Sequence, residues 1–237
     1  MERPMYGYRK IHHALNARGY QHNLKKTQRL MRLTGLQAIA PKKKTMTSCP
    51  AHKKYPYLLN SLQIDNIDQV WAVDITYIKT RRGTGHLVGL IDIFSRKIVG
   101  WSFSPFSDTN LCIEALDMAL KTGHKPKIIN SDQGYQFTSQ KWVSTLSSHE
   151  ITISMDGKGR WVDNKYIERF WRSIKYEMMH LHDFYNIQEA STAIDEYIKF
   201  YNLERPHQSL KYKTPEVKYN ELILPVVGSQ IPAVFLS

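Results

Sequence analysis

Near residue 67 the hydrophobic period of the chain switches from that of a helix to that of a strand, and no other feature limits the possible folds as much. In "VWAVDITYIKT", Trp71, Val73, Ile75 and Tyr77 fall on one side, with Ala72, Asp74, Thr76 and Ile78 on the other. "GHLVGLIDIFS" and "KIVGWSFS" read as two further strands, with turn signals at Gly83–Gly85 and Ser95–Arg96. A helix in "DTNLCIEALDMALKTG" opens at Ser107 or Asp108 and closes at Gly123. "KPKIIN" is a short buried strand running into "SDQGYQF"; a helix in "TSQKWVSTLSSH", a short "ITIS" and the loop "MDGKGRW" follow. The last two helices cover 163–177 and 187–204. The second begins with Asn186 and Glu189 in capping-box spacing and turns Ala190, Ile194, Tyr197, Ile198 and Tyr201 towards the sheet. The order βββ-α-β-α-β-α-α predicts a mixed α/β sheet flanked by helices.

The charge is distributed unevenly. Of the net +12, residues 1–66 hold 13 Lys/Arg against Glu2 and Asp65, and the remainder is near neutral. A polyanion-gripping module ahead of a neutral domain follows. "YGYRKIHHALNARG" places Tyr8, Ile11, Leu15 and Arg18 at helical spacing, and "LKKTQRLMRLTG" does the same with Leu24, Thr27, Leu30 and Met31. Two helices across a short polar turn fit a helix-turn-helix whose second helix exposes Lys25, Lys26, Gln28, Arg29 and Arg32 to DNA. His12, His13 and His22 are expected on solvated faces, with no cysteine pair to complete a zinc site. The expected organisation is a helix-turn-helix-like segment over 1–39, a basic linker tracking phosphates over 40–66, a core over 67–219 and a tail over 220–237. With 42% hydrophobic content, 237 residues suffice for one medium domain and a small one. There is no apolar run of 18 residues, no signal-peptide pattern in "MERPMYGYRK", and no disulfide framework from Cys49 and Cys112. A soluble, reducing, cytoplasmic setting without a membrane partner is the expectation.

Three acids stand in unusual places. Asp74 interrupts a strand, where an unpaired buried carboxylate is costly. Asp132 ends a strand just before Gly134, a common place for chemistry in an α/β sheet. In "DNKYIERFWRSIKYE", Ile167, Phe170, Trp171, Ile174 and Met178 form the buried stripe, and Asn164, Glu168, Arg172 and Lys175 line one edge of it. On that helix alone, a solvated charge ladder is the simpler reading. Taken together, however, three carboxylates held on rigid elements around one sheet are what two Mg²⁺ ions need to clamp an in-line phosphoryl displacement.

Six blocks now carry a resemblance: "YGYRKIHHAL", "VWAVDITYIKT", "LIDIFSRKIVGW", "NSDQGYQFTS", "SMDGKGRWVDNKYIERFWRSIKYE" and "YNLERPHQSLKYKTPE". In content and order they resemble the DDE transposases of bacterial insertion sequences, of the insertion-sequence-three type, with a retroviral-integrase-like catalytic core. The resemblance implies a ribonuclease-H-like fold and metal-dependent cutting and joining of element ends. It implies catalysis and metal ligation by Asp74, Asp132 and Glu168, with Mg²⁺ (Mn²⁺ as substitute) in two sites. Duplex DNA of element ends and target, further copies of the chain and the product of an upstream overlapping frame are the implied partners, on nucleoid DNA. Lys175 matches a basic position that resembles the family's DNA-orienting residue, and Arg172 lies on the same edge, farther towards solvent. Family members carry several tens of residues before the first block, so a second-frame product or a shortened copy is expected. Lys211 stands where a glycine is common.

Around these residues simpler roles are expected. Asp92 supports the metal site through hydrogen bonds. Asp163 and Asn164 cap the helix start. His180 and His182 lie on the surface. Trp161 either stacks on a base or packs. Two other functions stay open: a non-catalytic DNA-binding remnant acting as a regulator, and a nuclease that cuts without joining.

Overall fold

A computed structural model describes residues 6–36, 38, 55–60, 62–156 and 164–221. Two helices, α1 (Tyr8–Ala17) and α2 (Leu24–Leu33), precede strands β1 (Val70–Thr80), β2 (Gly83–Asp92) and β3 (Ile98–Ser104). Helix α3 (Thr109–Leu120), strand β4 (Ile128–Ser131), the single turn α4 (Tyr135–Thr138), α5 (Gln140–Ser148) and strand β5 (Thr152–Met155) follow. Helices α6 (Lys165–Glu177), α7 (Ile187–Leu203) and α8 (Pro215–Asn220) end the described chain. The strands form one sheet in the order β3-β2-β1-β4-β5, antiparallel on the β1 to β3 side and parallel from β1 through β4 to β5.

The sheet is mixed because two kinds of connection build it. β1, β2 and β3 are joined by tight turns, which permit only antiparallel neighbours, whereas β4 and β5 return through helices. Alternation then sends side chains into two cores. Trp71, Val73, Val88 and Leu90 pack under α3 and α5 with Leu116, Trp142 and Leu146. Val70, Ala72, Ile78, Leu87 and Ile91 pack under α6 and α7. The stripe expected on α6 is buried throughout, as is that on α7. Asn186 caps α7 by accepting from the Glu189 amide at 2.9 Å, and Glu189 reaches back to the Tyr185 amide at 2.7 Å. Asp108 caps α3 in the same way, accepting from the Leu111 amide at 3.0 Å.

Several local expectations fail for identifiable reasons. The β1–β2 turn lies at Arg81–Arg82 rather than Gly83–Gly85, because the amides of both arginines are held by the carbonyls of Phe184 and Tyr185. The α1–α2 hairpin buries only Thr27 and Met31 of its expected face; Leu24 and Leu30 stay 37% and 41% exposed, since two helices cover only a narrow stripe. Its histidines are engaged rather than solvated. His12 Nδ1 lies 3.2 Å from Thr27 Oγ1, and His22 meets the His12 ring edge-on. His13 stacks on Tyr212 at 4.3 Å, which docks α1 on the core. Of the stretch expected to be a linker, residues 40–54 and Ser61 lie outside the described residues. Its end packs on the core: Leu59 is buried, the Pro56 carbonyl accepts from Met155 N, and the Leu58 amide donates to Ser154 Oγ at 3.1 Å.

A buried ion network closes the far end of α6. Glu177 accepts from Arg205 Nε at 2.7 Å and from the Tyr197 hydroxyl at 2.9 Å, with Lys10 Nζ at 3.4 Å. Burial works against both charges, but the hydrogen bonds hold the Glu177 carboxyl below, and the Arg205 guanidinium above, their ordinary ranges. Beside them burial pushes Lys10 down to about 8, assisted by Arg205. Burial, with the charges of Arg205 and Lys10, also holds His207 down at about 3, against the opposing pull of Glu177.

Two stability predictions follow from the turn and the histidine. Lys211 sits at φ 54°, ψ 39°, a left-handed conformation that disfavours any side chain, which accounts for a glycine being common there. Lys211→Gly should raise unfolding stability by roughly 0.5–1 kcal/mol and Lys211→Val should lower it, read as urea midpoints; the opposite order would remove backbone strain as the cause. His207 must be neutral to stay folded, so its contribution is complete above its unfolded pKa of about 6.5 and is lost as pH falls towards about 3. By pH 5 the loss should reach about 2 kcal/mol relative to pH 7.5, and His207→Gln should not show that component.

Candidate active site

The parallel register between β1 and β4 decides where the acids meet. Val70, Trp71 and Ala72 pair with Ile128, Ile129 and Asn130, so Asp74 and Asp132 leave the sheet at the same level on adjacent strands. Asp74 points to the α6 face, and Gly89 is its partner across β2. Trp171 lies over both: its indole Nε1–H donates to Asp74 Oδ2 at 2.9 Å, and a Cβ placed on Gly89 would stand 2.8 Å from the ring. Glycine is required there because only a bare backbone lets the indole descend to the carboxylate. Asp132 is exposed and accepts from the Gly134 amide at 2.8 Å, which fixes its turn beyond β4.

Glu168 projects from the first turn of α6 and is exposed beside this pair. Burial and then the negative charge of Asp132, with a smaller contribution from Glu168, push the Asp74 carboxyl up to about 7. The hydrogen bond from Trp171 opposes that rise without overcoming it. Asp74 therefore senses both of the other carboxylates. The three do not form a closed cage: among the described residues no three His, Cys, Asp or Glu side chains stand close enough to hold a metal in common.

Lys175 is half-buried on the same edge, its Nζ 5.2 Å from the Tyr77 ring centre, while Arg172 is exposed. Burial lowers the Lys175 pKa, and Asp74 partly offsets this. The cations Lys25, Lys26, Arg29 and Arg32 are all exposed on α2.

Two expected supporting roles are not borne out. Asp92 is fully buried at the other end of the strands, paired with Trp71, about 10 Å along β1 from Asp74. It accepts from the Ser95 amide at 2.7 Å, the Ser95 hydroxyl at 2.6 Å and the Asp68 amide at 3.0 Å, so it builds the β2–β3 turn. Asn164 makes no side-chain cap; at φ −86°, ψ 5° its side chain is not aimed at the free amides, and its buried Oδ1 is left without a partner. Asp163 and Trp161 lie outside the described residues, while His180 and His182 are on the surface as expected. Periodicity marks Trp171 only as core. The signal for its second role is complementary need: an indole N–H on a buried stripe and an interior carboxylate each require a partner. Asn130 and Asp156, joined at 2.8 Å beside the Asp132 turn, carry no such signal.

Comparisons with known proteins agree with this geometry. An integrase core domain matches residues 66–160, a second integrase core domain model matches residues 149–215, and an HTH-like domain matches residues 1–44. The transposase for insertion sequence element IS904 of Lactococcus lactis is 36% identical over 223 residues, covering 91% of this chain and 88% of that protein. Transposase InsF for insertion sequence IS3A of Escherichia coli is 34% identical over 218 residues, covering 89% and 75%. Among solved structures, the HTLV-2 integrase catalytic core domain in complex with magnesium aligns at TM-score 0.55 and 23% identity, over 65% of this chain and 97% of that one. A simian T-cell lymphotropic virus intasome chain aligns at TM-score 0.59 and 16% identity, over 95% and 76%. No helix among the described residues is long and apolar enough to cross a membrane. The chain is a member of the IS3 family of insertion-sequence transposases, with an HTH-like segment ahead of a ribonuclease-H-like integrase core.

Proposed function

We propose that this transposase cuts and joins DNA at element ends by metal-dependent phosphoryl transfer, with Asp74, Asp132 and Glu168 as the catalytic ligand set. The observation that carries the reading is the electrostatic load on Asp74, a half-buried carboxylate raised to about 7 by desolvation, then by the charge of Asp132 and, less, by that of Glu168. Such a set of oxygen donors with excess negative charge fits a hard divalent cation. When bound, Mg²⁺ (or Mn²⁺ in its place) supplies Lewis-acid stabilisation of the transferring phosphoryl group and activates the attacking water or 3′-hydroxyl, most simply from two ions.

The chain's own residues supply the positioning. Trp171 orients the Asp74 carboxylate, and the Gly134 amide orients that of Asp132. Glu168 approaches from the first turn of α6, which the buried Ile167 seats on the core while the Glu168 side chain stays exposed. Lys175, half-buried beside Asp74, directs a cation to where a DNA phosphate would enter. The basic face of α2 grips duplex DNA, both element end and target, and copies of the chain assemble on it in the cytoplasm. A division into a DNA-binding segment over 1–39, a linker over 40–66, a core over 67–219 and a tail fits this reading. The packing of Leu59 means a stable core fragment should begin near residue 55.

Three outcomes test the reading. Asp74→Asn, Asp132→Asn and Glu168→Gln should each abolish Mg²⁺-dependent cleavage while duplex binding persists; cleavage surviving in one of them removes that residue from the ligand set. Lys175→Ala should slow strand transfer more than it weakens binding, because misplacing the scissile bond by about 1 Å can cost on the order of a hundredfold in rate. Arg172→Ala should do less, and wild-type joining rates in both variants would leave the lysine on a merely solvated edge. Replacing Lys25, Lys26, Arg29 and Arg32 by alanine should flatten the dependence of log K on log salt by about 0.9 for each phosphate no longer neutralised; an unchanged slope would place the grip elsewhere.

A further inference from the structure

The two edges of α6 carry different chemistry. With Ile167 as origin, Glu168 and Lys175 project at about 100° and 80°, while Tyr166, Arg169 and Ser173 fall at about −100° to −160°. Against this second edge lies a cleft of about 190 Å³ between α6, α1, the β2–β3 turn and the segment after α7. Lys10, Arg96, Arg169 and Arg205 line it, together with Ser173 and His207.

Only part of that charge is matched. Glu177 is engaged by Arg205 and Lys10. Among the described residues, no carboxylate stands within ion-pair distance of Arg96 or Arg169. Arg96 is held in place by its own turn, at φ 69°, with its guanidinium 3.5 Å from the Tyr166 ring centre. Burial lowers its pKa, and the opposing pull of Tyr166, Tyr201 and the more distant Asp92 carboxylate does not restore it. His207 gives an independent sign: it is only 9% exposed, and its buried Nε2 has no hydrogen-bond partner among the described residues. Ser173 Oγ accepts from Arg205 at 3.3 Å, which leaves its own proton to donate.

We propose that this cleft is a phosphate-binding site, and that its occupant is a backbone phosphate of duplex DNA, held apart from the phosphate at the carboxylate cluster. The donors converge from four segments of the chain, which suits a tetrahedral group with several acceptor oxygens, and guanidinium forks pair naturally with it. Lys10 comes from α1, so an occupant here would join the HTH-like segment to the core through shared contacts. A duplex lying against α6 would then be held on both sides of a helix about 10–12 Å across. The assignment to DNA rests on the proposed action of the chain on DNA.

The test uses the full chain in EDTA, so that cleavage plays no part. Inorganic phosphate should raise the melting temperature of the wild type and have little effect on Arg169→Glu or Arg96→Gln, since a ligand that binds only the folded state stabilises it. In duplex binding, Arg169→Glu should lower affinity about tenfold and flatten the slope of log K against log salt by about 0.9. No shift of the wild-type melting temperature with phosphate would overturn the site. A phosphate shift abolished in Arg169→Glu with an unchanged DNA slope would overturn the assignment to DNA and leave a free-anion pocket. Failure of the wild-type chain to bind duplex at all would instead count against the proposed function, and the two failures are thereby distinct.

Discussion

One indole links the helix that carries Glu168 to the strand that carries Asp74. Trp171 is nearly buried, lies across Gly89 and donates to Asp74, so it joins α6 to the two central strands at the level of the carboxylates. Ile167, Phe170 and Ile174 seat the same helix on the sheet, and the indole adds the one polar link from it to Asp74 found among the described residues. The depth of the ring depends on the missing Cβ of Gly89, and its direction on the hydrogen bond. Packing sets the distance and the polar atom sets the rotation. The same helix is anchored at its other end by Glu177 in its network with Arg205, Tyr197 and Lys10. A helix fixed at both ends can present one edge to the acids and the other to the basic cleft without rolling between them.

The electrostatics follow from this arrangement. Asp74 is half-buried beside two carboxylates and carries a proton more readily than an ordinary aspartate. Glu177, which is buried, goes the other way because Arg205 meets it directly. The contrast separates the two acids: Glu177 on α6, matched by a bidentate guanidinium, is a fastening, whereas Asp74 on β1 lies among charges of its own sign, the setting proposed above for a divalent cation.

What was legible in the sequence was what depends on neighbours within a few residues. The alternation of β1 and the apolar stripes of α6 and α7 survive because both cores ask only for apolar atoms at the right period. Asp74 stands out because an acid interrupts its strand, whereas Asp132 and Glu168 gain meaning only when taken together with it and with the family resemblance. What was not legible depends on distant partners. His13 on Tyr212, Arg205 on Glu177 and the held β1–β2 turn each join segments that no periodic pattern connects. Asp92 misled because an acid that organises a turn and an acid that supports a metal look alike until the other end of its hydrogen bonds is known. Lys211 shows the converse: a departure from a familiar motif became intelligible once its left-handed backbone was seen.

Asp74, Asp132 and Glu168 are proposed above to gather divalent ions at one point on the sheet. The most direct measurement is an anomalous difference map from crystals of the chain bound to element-end DNA and soaked in Mn²⁺. Two peaks about 3.5–4 Å apart are expected between these three carboxylates, both absent from crystals of Asp132→Asn. Ordered carboxylates with no peak between them, or manganese bound only elsewhere, would contradict the proposal.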